Sequence, residues 1–222
     1  MTTSLPPFVC LFDCDNTLLD NDALKDDLGV RVRTQFGASV EKRFWELYEE
    51  VRVTSDVVDI PATIARLSAE SGKVLAEQVW ALIWDYPFKD RVYPESFATI
   101  EYVKQLGAVV GIISDGDQLY QPRKIAQSGL AAAVDGHIKI FVHKQQHLDE
   151  IRAWLPGKHV VIVDDKPDIL TDIKALEPQF LTTVWVAQGH YATDQEYCCP
   201  DIDLKHIGDL RGLTLVQFTQ SS

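Results

Sequence analysis

Five short runs of apolar, mostly β-branched residues are spread along the chain, and none of them alternates cleanly between apolar and polar positions. Continuous apolar runs of this length are typical of strands covered on both faces, as in a parallel sheet. Apolar residues at helical spacing lie between the later runs and stop at glycine or proline. This alternation predicts an α/β fold with right-handed crossovers. The predicted strands are residues 8–12, 108–113, 138–142, 160–163 and 182–187.

The stretch of residues 19–88 breaks this alternation, because it contains several helical patterns in succession and no predicted strand. We expect a helical lid domain over residues 19–88, inserted into a core domain made of residues 1–18 and 89–222. Its aromatic residues fall at helical spacing, and such stripes usually face a core. We therefore predict a mainly structural role for Phe44, Trp45, Tyr48, Trp80 and Trp84.

The charge balance restricts the partners. The 222 residues carry a net charge of −12, and an acidic surface disfavours nucleic acid and anionic membranes as partners. No apolar run reaches the roughly 18 residues of a membrane span, and residues 1–7 lack the pattern of a secretory signal. We expect a cytoplasmic protein with reduced thiols. Nothing in the sequence indicates the oligomeric state.

The four cysteines do not have the usual spacing of a zinc site. Cys10 and Cys14 are four apart around a predicted strand end, and Cys198 and Cys199 are adjacent. We interpret them as small buried thiols, although half of a metal site is the alternative.

Polar residues follow every predicted strand. The carboxyl ends of parallel strands meet at one edge of the sheet, where ligands bind in open α/β folds. Residues at this edge are Asp13 and Asp15 after the first strand, Ser114, Asp115 and Gly116 after the second, Lys144 after the third, Asp164 and Asp165 after the fourth, and His190 after the fifth.

So many carboxylates at one edge require a counter-charge. A hard cation with oxygen ligands supplies one, and Mg²⁺ bound by one to three carboxylates and a substrate phosphate is expected. Asp13 and Asp15 are two residues apart and can face the same site, one as nucleophile and one managing a proton. Ser114 and Lys144 would then hold phosphoryl oxygens.

The motifs "DCDNTLL", Ser114 after "VVGII", Lys144 and "VIVDD" resemble, in order, the four motifs of the haloacid dehalogenase (HAD) superfamily. The resemblance covers essentially the whole chain and implies a Rossmann-like core with a helical C1-type cap. The stretches "DNTLLDND", "SDGDQLYQPRKIAQSGL", "VDDKPDIL" and "QGHYA" are also similar to a bacterial phosphatase-like subgroup usually labelled only as hydrolases.

The resemblance implies a role for each motif residue. Asp13 would be the nucleophile that becomes a phosphoaspartate, and Asp15 would protonate the leaving oxygen and then activate water. Ser114 would bind the phosphoryl group, and Lys144 would steady its charge. Mg²⁺ would be bound by Asp13, the main-chain carbonyl of Asp15 and a motif-four acid. The carbon–halogen hydrolases of the superfamily lack the second aspartate, so Asp15 favours phosphoryl transfer.

The fourth motif aligns in two ways. Aligned on Gly-Asp patterns, Asp165 is the metal ligand, whereas an Asp-Asp alignment pairs Asp164 with Asp168. We favour Asp165 as the direct ligand with Asp164 in support, and Asp168 as a residue that starts the next helix. His190, Asp115 and Gly116 are candidate substrate contacts, and His143 and His147 are predicted to have no catalytic role.

We therefore expect a Mg²⁺-dependent phosphatase that hydrolyses a small phosphorylated metabolite through an aspartyl-phosphate. A phosphomutase of the sugar-phosphate type shares all four motifs and is the nearest alternative. A second alternative is a non-catalytic module that binds a phosphometabolite or a phosphoprotein. The intact set of Asp13, Asp15 and Lys144 argues against that module. The sequence does not name the phosphate ester.

Overall fold

Parallel pairing throughout defines the central sheet of this protein. The computed structural model describes residues 5–176, 181–193 and 200–219. Within these residues the sheet has six strands in the order β3-β2-β1-β4-β5-β6, and every neighbouring pair is parallel. The strands are β1 (Val9–Phe12), β2 (Val109–Asp115), β3 (Ile138–Phe141), β4 (Val160–Asp164), β5 (Leu181–Val186) and β6 (Ile202–Leu204).

The five predicted strands are confirmed, with ends that shift by one or two residues. β1 lies between β2 and β4 and is buried along its whole length, as its uninterrupted apolar sequence requires. β2 extends beyond its predicted end, so Ser114 and Asp115 belong to the strand itself. β6 was not predicted, because a strand of three residues is too short to show a recognisable hydrophobic pattern.

Residues 21–84 form four consecutive helices without a strand, and this segment is called the helical block below. Gly37 and Gly72 separate its helices in pairs and have φ of 94° and 91°, which lets the chain reverse sharply there. The carboxylate of Asp59 caps α3 by accepting a hydrogen bond from the Ala62 N–H group, with Pro61 in the first turn. The helices are α1 (Asn21–Phe36), α2 (Ala38–Ser55), α3 (Ile60–Ser71) and α4 (Lys73–Trp84).

Shorter helices cover the two faces of the sheet. Two apolar clusters result: one includes Phe8, Phe12 and Ile112 and continues into the helical block, and the other includes Leu11 and Ile162. Successive residues of β1 contribute to different clusters because side chains alternate across a strand. The covering helices are α5 (Ser96–Gln105), α6 (Tyr120–Gln127), α7 (Leu130–Ala133), α8 (Leu148–Trp154), α9 (Pro167–Leu176) and α10 (Leu215–Thr219).

The two segments that join the helical block to the sheet run side by side. The Asp20 N–H group donates to the carbonyl of Arg91 at 2.8 Å, and the Tyr93 N–H group donates to the carbonyl of Leu18 at 3.0 Å. The block thus leaves and re-enters the core domain at one paired junction, directly after the first acidic motif.

Cys10 and Cys14 are buried and free, in agreement with their interpretation as small buried thiols. Cys198 and Cys199 lie outside the described residues. Among the helices described, none combines the length and the apolar character needed to cross a membrane.

Candidate active site

A buried lysine joins the ends of three strands. Lys144 follows β3, and its Nζ atom lies 2.5 Å from Asp13 Oδ1 after β1 and 2.6 Å from Asp164 Oδ2 at the end of β4. Asp115 at the end of β2 accepts a hydrogen bond from the Lys144 main-chain N–H group at 2.9 Å. The predicted convergence of these residues therefore occurs. Asp115 thus holds the backbone of Lys144, and it also lines the cavity described below. The substrate contact predicted for Asp115 stays a prediction.

Three buried carboxylates lie beside this lysine. Ligand atoms of Asp13, Asp164 and Asp165 are all within 4.8 Å of one another. Neither carboxylate oxygen of Asp165 has a hydrogen-bond partner among the residues that the structure describes. An unpartnered buried carboxylate is costly, and oxygen donors in this number suit a hard divalent cation. The three residues fit Mg²⁺, whereas Asp168 is exposed and outside the cluster.

The pKa values of the clustered residues show the effect of burying several charges together. Burial raises the pKa of Asp13 to about 7, although Lys144 acts in the opposite direction. Burial, together with the charges of Asp164 and Asp13, raises the pKa of Asp165 well above its usual range. Burial alone would lower the pKa of Lys144, but the carboxylates of Asp13 and Asp164 hold that pKa well above normal. Lys166 also lowers the pKa values of Asp13 and Asp165, but both pKa values remain raised, so the two lysines do not fully compensate the three acids.

Asp15 lies apart from this cluster and faces α6. Lys124 on α6 places its Nζ atom 2.6 Å and 2.7 Å from the two carboxylate oxygens of Asp15. The Gln121 amide donates to Asp15 Oδ2 at 3.1 Å and to Ser114 Oγ at 2.9 Å. Ser114 and Asp15, both predicted from the sequence, are thereby connected. Lys124 and Gln121 lie within the stretch "SDGDQLYQPRKIAQSGL", but no role was predicted for them, because a lysine and a glutamine three apart on a helix do not by themselves indicate a site.

A cavity of about 540 Å³ lies between the helical block and the carboxyl edge of the sheet. Pockets of this size accept small metabolites. Asp15, Asp165 and Lys166 belong to its sheet-side wall. The wall from the helical block combines apolar and charged residues. Its apolar and aromatic residues include Leu24, Leu28, Phe44, Trp45, Tyr48, Ile60 and Ile83, and its charged residues include Lys25, Glu49 and Arg52. Three of the aromatic residues predicted to be mainly structural therefore also line the cavity.

Two histidines link the core domain to the helical block. His190 accompanies Asp15 in the cavity lining, and its Nδ1 atom lies 2.8 Å from Asp22 Oδ1 at the start of α1. His143 Nε2 lies 2.8 Å from Asp56 Oδ2 at the end of α2. The substrate contact predicted for His190 stays a prediction.

Gly116 does not line the cavity. Its N–H group donates to the carbonyl of Phe141 at 3.1 Å, which ties the end of β2 to the end of β3. A Cβ atom at this position would lie 3.1 Å from the Gln121 side chain, so the absence of a side chain leaves room for Gln121 beside Ser114. The predicted contact between Gly116 and substrate stays a prediction.

The four motif positions therefore meet at one sheet edge, and a comparison of the whole sequence agrees with them. A family model described as hydrolase, haloacid dehalogenase-like hydrolase, matches residues 9–179. The chain belongs to this family. As a haloacid dehalogenase-like hydrolase, it has its motif residues on the β1, β2, β3 and β4 ends described above. A search among curated proteins gave no significant match.

Solved structures of other haloacid dehalogenase-like proteins share this fold. A haloacid dehalogenase-like hydrolase from Burkholderia xenovorans LB400 is 38% identical, with a TM-score of 0.87 over 94% of this chain and 99% of that one. An HAD phosphatase from Thermococcus onnurineus is 19% identical, with a TM-score of 0.64 over 92% and 96%. An L-2-haloacid dehalogenase from Xanthobacter autotrophicus is 16% identical, with a TM-score of 0.58 over 92% and 97%. The last two show only that the fold is shared.

Proposed function

We propose that this hydrolase is a Mg²⁺-dependent phosphatase that cleaves a small-molecule phosphomonoester through an aspartyl-phosphate on Asp13. The observation that carries the proposal is the buried cluster of Asp13, Asp164 and Asp165, in which the Asp165 oxygens lack partners. A phosphoryl group brings negative charge into an already acidic site and requires a cation there. A carbon–halogen substrate has no phosphoryl charge to neutralise, so the cluster favours a phosphoryl substrate.

The proposed reaction has two displacements at phosphorus. An Asp13 carboxylate oxygen attacks phosphorus, the bond from phosphorus to the ester oxygen breaks, and Asp15 gives that oxygen a proton. Water then attacks the phosphoaspartate, Asp15 takes its proton, and inorganic phosphate leaves as Asp13 is restored. Bound Mg²⁺, held by Asp13, Asp165 and Asp164, would neutralise phosphoryl charge. The main-chain carbonyl of Asp15 completes the ligand set that we propose.

Lys144 is assigned to stabilising the phosphoryl charge, and Ser114 is assigned to positioning the phosphoryl group. Lys144 is buried between Asp13 and Asp164, so its ammonium fixes the nucleophile and faces the developing phosphoryl charge. The Ser114 hydroxyl accepts from Gln121, which leaves its own proton for a phosphoryl oxygen.

We assign residues 19–88 as a cap domain, and residues 1–18 and 89–222 as the core domain. The helical block closes the cavity above the carboxylates, and the pairs His143–Asp56 and His190–Asp22 bridge it to the core. A cap in this place excludes water while the first displacement occurs. The mixed apolar and polar cavity suits a phosphorylated metabolite of small size.

A screen of phosphorylated metabolites with purified protein and Mg²⁺ tests the proposed function. We expect release of inorganic phosphate from at least one ester, and loss of that release when the metal is chelated. A parallel assay measures halide release from 2-chloropropionate. Halide release without phosphate release from any ester would contradict the proposal. Isomer formation that needs a bisphosphate activator would instead show a phosphomutase.

A further inference from the structure

Helix α6 carries a buried cation that none of the four motifs includes. The Lys124 side chain is 3% exposed, and its Nζ atom contacts both carboxylate oxygens of Asp15, at 2.6 Å and 2.7 Å. Nζ also lies 3.3 Å from Asn21 Oδ1 at the start of α1. A buried ammonium is unfavourable unless it is paired, so this geometry strongly fixes the position of its partner.

Gln121 precedes Lys124 by three residues and therefore lies on the same face of α6. Its amide nitrogen connects Asp15 Oδ2 to Ser114 Oγ, and its side chain is nearly as buried as that of Lys124. Asp15 is thus held by two neighbouring side chains of one helix, while 27% of its side chain remains exposed towards the cavity. The carboxylate is fixed in direction and still accessible.

We propose that Lys124 is a positioning residue for Asp15, and that it acts on the reaction through Asp15 without contacting the substrate. This inference rests on the proposed function, in which Asp15 handles the proton of the leaving oxygen. Proton transfer requires the acid within hydrogen-bond reach of the ester oxygen, and an aspartate free to rotate would spend little time there. Lys124 restricts this rotation by binding both oxygens.

The competing role for Lys124 is direct binding of a substrate anion. Lys124 borders the cavity, but its side chain is only 3% exposed and its ammonium already contacts both Asp15 oxygens and Asn21 Oδ1, which opposes that role. The two roles predict different behaviour when Asp15 is changed.

A double-mutant cycle of Lys124→Met and Asp15→Asn tests the inference. Methionine keeps most of the apolar stem, and the exposed part of Asp15 keeps its hydration, so we expect the variant to fold. For an alkyl phosphate we expect kcat to fall about tenfold or more with KM nearly unchanged. In the Asp15→Asn background, Lys124→Met should add almost nothing, because the residue through which it acts is already lost.

A loss that persists undiminished in the Asp15→Asn background, or a rise in KM at constant kcat, would overturn the inference in favour of direct substrate binding. Lys104→Met is the matched control, since Lys104 pairs with Asp135 on the surface at 2.7 Å and lies on α5. It should leave both kinetic constants unchanged. If Lys124→Met does not fold, Lys124→Arg is the variant to test. The planar guanidinium of arginine keeps the positive charge, but its larger size displaces the Asp15 carboxylate. Wild-type kinetics in that variant would count against positioning.

Crystal structures of the wild type and Lys124→Met give a readout that needs no activity. We expect the Asp15 carboxylate to leave its site beside Gln121 or to occupy more than one conformer in the variant. An unmoved Asp15 would overturn the inference. The crystal structures test the positioning role of Lys124 separately from the proposed phosphatase function. A wild type that releases no phosphate contradicts the proposed function, while the position of Asp15 in the two structures still decides the role of Lys124.

Discussion

Two aspartates only two residues apart occupy different environments. Asp13 is almost fully buried in the carboxylate cluster, whereas Asp15 is partly exposed and paired with Lys124. The residue between them points away, because consecutive side chains at a strand end alternate in direction. Their different surroundings support the different roles proposed for them, a nucleophile and a proton carrier.

Replacing Asp13 with asparagine is expected to abolish turnover, because the amide is a poor nucleophile at phosphorus. The loss in kcat should reach about 10⁴-fold or more, in line with other removed nucleophiles. Steady-state phosphate release measures it, and Asp26→Asn is the control because this exposed acid lies outside the cavity. A phosphoaspartate trapped in the Asp13→Asn protein would refute the assignment.

Replacing Asp15 with asparagine should slow esters with poor leaving groups more than esters with good ones. Loss of a general acid lowers the rate by about 10²–10⁴-fold. A nitrophenolate leaves without protonation, whereas an alkoxide leaving group needs a proton from the acid. Single-turnover release of the alcohol from nitrophenyl and alkyl phosphates measures the difference. Equal losses for both esters would count against the acid role of Asp15.

At the scale of elements, the site depends on close approach between the loops that follow β1 and β5. Gly189 has φ of 65°, and a Cβ atom there would lie 2.5 Å from Asn16 Cγ. The neighbouring Gln188 side chain accepts from the Ile207 N–H group, which ties the loop after β5 to the C-terminal region. The two loops therefore pack with no room for another methyl group.

Gly189→Ala is expected to push the loop after β5 away from the loop that carries Asp13 and Asp15. Overpacking of this kind costs about 1–3 kcal/mol of the free energy of unfolding. Thermal unfolding and kcat/KM for a working ester measure the two effects. Gly212→Ala is the control, because a Cβ atom at Gly212 meets nothing within 4 Å. Equal stability of the two variants would contradict the packing argument.

At the scale of the whole molecule, the negative charge is unevenly distributed. The net charge is −12, and three acids are buried together at one edge of the sheet. The folded pKa of Asp13 is about 7, well above the value of about 4 in an unfolded chain. At a pH between about 4 and 7, the metal-free folded protein therefore binds one more proton than the unfolded chain. Its free energy of unfolding should fall as the pH rises towards 7, because the stabilising contribution is lost through the folded pKa.

Magnesium should stabilise the protein more at about pH 8 than at about pH 5.5, because a metal binds carboxylates and competes with their protons. The stabilisation at a concentration 100-fold above Kd is about 2.7 kcal/mol. Calorimetry with and without Mg²⁺ at the two pH values measures it. Asp165→Asn should greatly reduce the effect, while Asp26→Asn should leave it intact. A larger effect at the lower pH would contradict the cluster as the metal site.

The sequence by itself determined the five strands β1 to β5, the helical segment after β1 and the meeting of Asp13, Ser114, Lys144, Asp164 and Asp165. It could do so because continuous apolar runs specify buried parallel strands, and parallel strands place the residues that follow them at one edge. Only the tertiary structure decided that Asp115 holds Lys144 and that Lys124 and Gln121 hold Asp15. These contacts join residues 29 to 109 positions apart, and no local period encodes such distances.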